Sequence, residues 1–103
     1  MTQTVLRRVL IVDDESSIRD MIAITLEMAG FEVVQASDAS AALNEIATLQ
    51  PDLAIIDWMM PKTSGLELCR RIRKNPDTRD IPMILLTARG EEDAKITGLE
   101  VAD

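Results

Sequence analysis

The sequence predicts an α/β fold in which helices cover both faces of a doubly wound parallel sheet. Short, largely apolar segments, VLIV at 9–12, FEVVQA at 31–36, LAII at 53–56 and MILL at 83–86, alternate with longer segments of helical periodicity. Strands that are buried on both faces have continuous rather than alternating apolar residues. Right-handed crossovers then place the connecting helices on the two sides of the sheet. In such folds, ligands bind beyond the carboxyl ends of the strands.

The first helical segment carries signals for its start and its end. Ser16 or Ser17 can cap its first turn, and Gly30 is placed to end it. Helical spacing predicts that one face of this segment is turned inward. The residues on that face are Ile18, Ile22, Thr25, Leu26 and Ala29.

Three further helices are predicted after the later apolar segments. Asp38 can cap the second helix and Pro51 stops it. Ala42, Leu43, Ile46 and Ala47 face inward in the second helix, and Leu66, Cys69 and Ile72 face inward in the third. The third helix ends before NPDTRD at 75–80. A fourth helix is predicted over GEEDAKITGLE at 90–100, with acids in its first turn.

Composition limits the classes of function. The chain has 103 residues and a net charge of −7, which predicts one domain over 1–103 with a surface that repels nucleic acid. Such a surface favours a basic protein partner or a cation. The chain contains no histidine, which excludes catalysis and metal binding by histidine. Cys69 is the single cysteine, and neither a signal peptide nor a membrane span is predicted, so we expect a cytoplasmic protein.

Acidic residues follow two of the predicted strands. Asp13 and Asp14 come directly after the first strand, and Asp57 ends the third. Neighbouring strands lie about 5 Å apart, so these carboxylates converge and favour a hard cation such as Mg²⁺. Asp57 could then attack a phosphoryl group. Thr87 would supply a hydroxyl at the end of the fourth strand, with the small Ala88 beside it.

Ordinary structural roles remain open for the same residues. Asp13 and Asp14 could be solvated acids at the start of the first helix. Asp57 could be a turn residue at a strand end, and Thr87 could simply cap the following helix.

Four segments together resemble the response-regulator receiver domains of two-component systems, most closely the OmpR/PhoB class. They are VLIVDDE at 9–15, LAIIDWMMP at 53–61, SGLELCRRIR at 64–73 and IPMILLTAR at 81–89. The resemblance covers essentially the whole chain and implies a flavodoxin-like, CheY-like fold. It also implies a signalling domain that catalyses at most its own phosphorylation and dephosphorylation.

The resemblance assigns roles to individual residues. Asp57 would be the phosphoacceptor, Asp14 a direct Mg²⁺ ligand and Asp13 a ligand acting mostly through water. Met59 would contribute its backbone carbonyl to the metal, and Thr87 would contact the phosphoryl group as the switch hydroxyl. The implied partners are a sensor histidine kinase and a second copy of the chain. A DNA-binding domain would follow in the parent protein, without DNA contact by this segment.

The chain departs from the family pattern at its end. The family has a fifth strand, which carries a lysine–proline pair, and a fifth helix; this chain ends at Asp103, before both. We therefore expect a C-terminally truncated receiver domain that lacks the family lysine. Its fourth strand would be an exposed sheet edge, which favours self-association.

Two alternative functions follow from the same residues. A truncated or engineered fragment could fold or dimerise without signalling. An aspartyl-nucleophile phosphatase is disfavoured, because Met59 occupies the place of the second acid that such enzymes need.

Overall fold

A computed structural model describes residues 7–60 and 62–86, in which strands and helices alternate along the chain. The strands are β1 (Arg8–Val12), β2 (Glu32–Ala36), β3 (Leu53–Asp57) and β4 (Met83–Leu86), and the helices are α1 (Ser16–Met28), α2 (Ala39–Leu49) and α3 (Gly65–Lys74). All strand pairs are parallel, and the strand order is β2-β1-β3-β4. The predicted doubly wound parallel sheet is confirmed.

The two faces of the sheet carry separate apolar clusters. In β1, Leu10 and Val12 pack with residues of α2 and α3, whereas Val9 and Ile11 pack with Ala23 and its neighbours on α1. Because both faces are covered, β1 needs apolar residues at successive positions. This explains the unbroken VLIV segment.

The ends of α1 confirm one expectation and contradict another. The N-cap position is Glu15, which makes no side-chain capping hydrogen bond, so the predicted caps Ser16 and Ser17 are wrong. The turn before α1 is held instead by Asp13, whose Oδ1 accepts a hydrogen bond from the Glu15 N–H at 2.9 Å. At the other end Gly30 has φ of +99°, as a helix-ending glycine requires.

The inward face of α1 agrees only in part with the prediction: Ala23, which was not predicted, is buried, and the predicted Ile22 and Leu26 pack against the same cluster. Thr25 and Ala29, both expected to face inward, are exposed. Ile18, Ile22 and Leu26 are partly buried. Ala23, by contrast, is only 4% exposed.

The later helices follow the sequence more closely. Asp38 caps α2, accepting a hydrogen bond from the Ala41 N–H at 2.8 Å. Ala42 and Ile46 are buried, whereas Ala47 is exposed, so its predicted inward position is wrong. Cys69 and Ile72 of α3 are fully buried, which confirms Cys69 as a core residue.

The expectations for the chain's C-terminal end lie largely outside the described residues. The fourth helix, Thr87, Ala88 and the consequences of ending at Asp103 all fall there and stay predictions. Within the described part, β4 pairs only with β3. None of the helices described is long and apolar enough to cross a membrane.

The residue before β3 gives a pH-dependent contribution to stability. Asp52 Oδ2 accepts hydrogen bonds from the Arg8 and Arg7 N–H groups, both at 3.0 Å, and these bonds lower the pKa of Asp52. A carboxyl whose pKa is lowered by folding stabilises the fold above its unfolded-state pKa. That contribution disappears as the pH falls through the folded-state pKa.

We therefore expect Asp52→Asn to lower the free energy of unfolding at neutral pH, and the difference from the wild type to shrink below about pH 5. Urea unfolding across the acid range measures this. Asp80→Asn, at an exposed position on the α3–β4 connection, is the matched control. A difference between wild type and Asp52→Asn that stays constant down to the lowest pH would contradict the assignment.

Candidate functional site

Three carboxylates meet at the carboxyl edge of the sheet. Asp13 directly follows β1 and Asp57 ends β3, and these strands are parallel neighbours with Val12 paired to Ile56. Asp14 is the next residue of the β1–α1 loop. Asp13, Asp14 and Asp57 each offer an oxygen, and these atoms all lie within 4.8 Å of one another. The predicted convergence of the three acids is confirmed.

The cluster is buried on one side and open on the other. Asp13 is 4% exposed and Asp57 5% exposed, whereas Asp14 is exposed. Buried like charges at this separation destabilise one another unless a cation or a proton compensates. A ligand from solvent would therefore meet Asp14 first and the two buried carboxylates behind it.

Asp13 is held by hydrogen bonds from three directions. Its N–H donates to the Ala36 carbonyl of β2 at 3.1 Å, and its Oδ1 accepts from the Glu15 N–H. Its own carbonyl accepts from Arg19 Nη1 at 2.7 Å. Burial raises the pKa of Asp13 above its ordinary value, against the lowering effect of the hydrogen bond from Glu15, and the charge of Asp14 adds to the increase.

Asp57 lies where β3 passes into an anchored loop. Its Oδ1 accepts a hydrogen bond from the Met59 N–H at 3.2 Å. The Trp58 N–H donates to the Leu86 carbonyl at 2.9 Å, and the Trp58 carbonyl accepts from the Gly65 N–H at 3.0 Å. The main chain around Asp57 is thus tied to β4 on one side and to the start of α3 on the other.

Gly65 is a site residue whose individual role the sequence reasoning missed. A Cβ at this position would lie 2.2 Å from the Asp57 carbonyl oxygen and 2.9 Å from Ile56 Cγ2. The start of α3 therefore approaches the end of β3 more closely than any side chain allows. The glycine within SGLELCRRIR was the available signal, although sequence alone does not show what it approaches.

The other predicted site residues are only partly placed. Met59 is described, with its side chain 54% exposed and its N–H on Asp57, but the metal-binding role of its carbonyl stays a prediction. Thr87 and Ala88 lie outside the described residues, so their contact with a phosphoryl group also stays a prediction.

The residues present fit a metal ion. The three side chains supply only carboxylate oxygens, and hard divalent cations take oxygen ligands. Asp13 and Asp57 are buried beside the exposed Asp14, and a divalent cation between such like charges reduces their mutual repulsion. Soft-metal chemistry finds no support in this part of the chain, since Cys69 is buried in the core.

Residues 9–102 match the family model described as the response regulator receiver domain, and the chain therefore belongs to that family. Its relatives further place it in the OmpR/PhoB class. The chain is 55% identical over 95 residues to the phosphate regulon transcriptional regulatory protein PhoB of Pseudomonas aeruginosa, covering 92% of this chain and 42% of that protein. It is 44% identical over 93 residues to the DNA-binding dual master transcriptional regulator RpaA of Synechocystis, covering 90% and 39%.

A solved structure confirms the receiver fold. The N-terminal domain of a response regulator receiver protein from Methanoculleus marisnigri superposes with a TM-score of 0.79 at 36% identity, covering 82% of this chain and 69% of that one. The chain spans about two fifths of the length of the curated relatives it matches, 42% in the case of the Pseudomonas protein.

Proposed function

We propose that this chain is the phosphoacceptor domain of a two-component response regulator and that Asp57 accepts the phosphoryl group. The observation that carries the proposal is the cluster of three carboxylates within 4.8 Å of one another at the strand ends. Membership of the receiver family supports the reaction class. The donor in the cell would be the phosphohistidine of a sensor kinase.

In the reaction, a carboxylate oxygen of Asp57 forms a bond to phosphorus while the bond from phosphorus to the donor breaks. The product is a mixed anhydride on Asp57, and the donor leaves with the electron pair of the broken bond and takes up a proton. The hydrogen bond from the Met59 N–H orients the side chain of Asp57. In-line transfer of this kind depends mainly on positioning and electrostatic stabilisation.

Asp13, Asp14 and Asp57 would hold Mg²⁺, together with the Met59 carbonyl. When bound, Mg²⁺ neutralises charge on the phosphoryl oxygens. Thr87 would donate its hydroxyl to the phosphoryl group, with Ala88 leaving room beside it. Asp14 is the exposed acid of the set, so it is the first that an incoming ion would reach.

The wider roles follow from the same proposal. The chain would act as a signalling domain and not as an enzyme on other substrates. The name of the Synechocystis relative describes that protein as DNA-binding. The parent protein of this chain would likewise bind DNA, through a separate domain. Phosphorylation would favour self-association of the receiver domain.

The proposal is tested by incubating the chain with acetyl phosphate and Mg²⁺ and measuring its intact mass. We expect the mass to increase by one phosphoryl group. No increase is expected when Mg²⁺ is chelated before the donor is added, or when inorganic phosphate replaces the donor. A folded chain that gains no mass would contradict the proposal and favour a fragment that folds without signalling.

A further inference from the structure

We propose that Arg19 is a positioning residue for the acid cluster, holding the β1–α1 loop so that Asp13 and Asp14 stay beside Asp57, where the three carboxylates would hold a cation. The inference rests on the proposed function, since it assumes that the cluster binds Mg²⁺. Arg19 lies in the first turn of α1 and is partly buried. Sequence reasoning gave it no role.

The guanidinium of Arg19 joins the loop to the sheet. Nη1 donates to the Asp13 carbonyl at 2.7 Å, and Nε donates to Gln35 Oε1 on β2 at 2.9 Å. Gln35 Nε2 in turn lies 3.4 Å from Asp20 Oδ1. Both acceptors of the Arg19 guanidinium hydrogen bonds are uncharged, so the arginine is used here as a planar fork rather than as half of an ion pair.

The carbonyl that Arg19 holds belongs to the peptide that joins Asp13 to Asp14. A peptide unit is planar, so fixing its oxygen also fixes the orientation of the Asp14 N–H and limits where the Cα of each acid lies. The Asp13 N–H is fixed separately by the Ala36 carbonyl. Without Arg19, the loop could rotate this peptide and move both carboxylates relative to Asp57.

Positioning and charge predict opposite effects on cation binding. A positive guanidinium near a divalent cation opposes binding through Coulomb repulsion, so removing the charge alone would tighten it. Loss of the fixed peptide would weaken binding, as removal of groups that orient metal ligands generally does. The sign of the change in Mg²⁺ affinity therefore separates the two effects.

Arg8 provides a matched control at the opposite end of the sheet. Its Nη1 donates to the Leu49 carbonyl at 2.9 Å, and its Nε lies 3.4 Å from Glu32 Oε1 on β2. Like Arg19, Arg8 contacts one main-chain carbonyl and one side-chain oxygen of β2. Arg8 lies at the other end of the sheet from Asp13, Asp14 and Asp57. Arg8→Ala should cost stability without changing Mg²⁺ affinity.

The test is a calorimetric Mg²⁺ titration of the wild type, Arg19→Ala, Arg19→Lys and Arg8→Ala, with Asp14→Asn as the variant expected to lose binding. We expect Arg19→Ala to weaken Mg²⁺ binding about tenfold. Arg19→Lys should weaken it similarly, because lysine keeps the charge but cannot make both hydrogen bonds. If Arg19→Ala does not fold, Gln35→Met can replace it, since it removes the acceptor of the Arg19 Nε hydrogen bond and alters only an exposed side chain. We expect Gln35→Met to weaken Mg²⁺ binding by a smaller factor than Arg19→Ala.

Each outcome decides between the claims. If the wild type binds Mg²⁺ and the Arg19 variants bind it with equal or higher affinity, the proposed role of Arg19 is overturned. The proposed function is then unaffected. Equal weakening by Arg8→Ala would also overturn it, because the effect would then reflect general stability. No Mg²⁺ uptake by the wild type would overturn the proposed function and this inference with it.

Discussion

Asp57→Asn is expected to abolish phosphate uptake from acetyl phosphate completely while leaving the chain folded. The asparagine oxygen can still accept the hydrogen bond that the Met59 N–H makes to Asp57 Oδ1. An amide oxygen does not act as the nucleophile that a carboxylate provides. The substitution also removes one of the three clustered carboxylates. Intact mass after incubation with the donor and Mg²⁺ measures the loss.

Asp52→Asn is the matched control for this change. Asp52 immediately precedes β3 and Asp57 ends it, so the two substitutions alter the same residue type at opposite ends of one strand. Asp52→Asn should gain a phosphoryl group as the wild type does. Phosphate uptake by Asp57→Asn at the wild-type rate would show that another residue is the acceptor.

Gly65→Ala is expected to destabilise the fold by about 3 kcal/mol, at the upper end of the usual cost of overpacking. The added Cβ would meet the Asp57 carbonyl oxygen at 2.2 Å and the Asp57 carbonyl carbon at 2.9 Å. Because these are main-chain atoms, no side-chain rotation relieves the contact. The start of α3 must move away and lose the hydrogen bond from the Gly65 N–H to the Trp58 carbonyl. Urea unfolding measures the cost, and slower phosphorylation should accompany it because the end of β3 shifts.

Gly30→Ala separates this steric effect from the general cost of replacing glycine. Gly30 has φ of +99°, and a Cβ there would meet nothing within 4 Å. Its replacement should therefore cost only the backbone strain of a left-handed residue, about 1 kcal/mol. Gly65→Ala destabilising no more than Gly30→Ala would contradict the close approach of α3 to β3.

The architecture was predictable because the strands can be recognised from the sequence. Apolar segments such as 9–12 and 53–56 are too short for helices and have no polar alternation, which is what burial on both faces demands. Local signals also identified Asp38 as the cap of α2 and Gly30 as the end of α1. Each of these depends on residues close together in the chain.

The errors arose where tertiary contacts override local preference. Ser16 and Ser17 are good capping residues, but Asp13 holds the turn before α1, so neither serine caps it. On α1, Ala23 is buried although it was not predicted to face inward, whereas Met21, Ile24 and Met28 are 61%, 58% and 83% exposed. Periodicity indicates how wide an apolar face is, but the packing of the helix decides which part meets the sheet.

Some residues of the candidate site were predictable from the sequence and others were not. Asp13, Asp14 and Asp57 were predictable because parallel strands bring their carboxyl ends to one edge. The roles of Gly65 and Arg19 were not predictable. That of Gly65 depends on the close approach of α3 to the main chain of Asp57. That of Arg19 depends on a hydrogen bond from its side chain to the Asp13 carbonyl. Neither feature has a signature in residue spacing.

Locating the phosphoryl group in the wild-type chain tests the role of Asp57 most directly. After incubation with acetyl phosphate and Mg²⁺, borohydride reduction converts an aspartyl phosphate to homoserine, which peptide mass spectrometry assigns to a position. We expect homoserine at position 57 alone, and none when Mg²⁺ is chelated before the donor is added. Homoserine at position 13 or 14, or an unmodified position 57 in a chain that gained a phosphoryl group, would contradict the assignment of Asp57 as the phosphoacceptor.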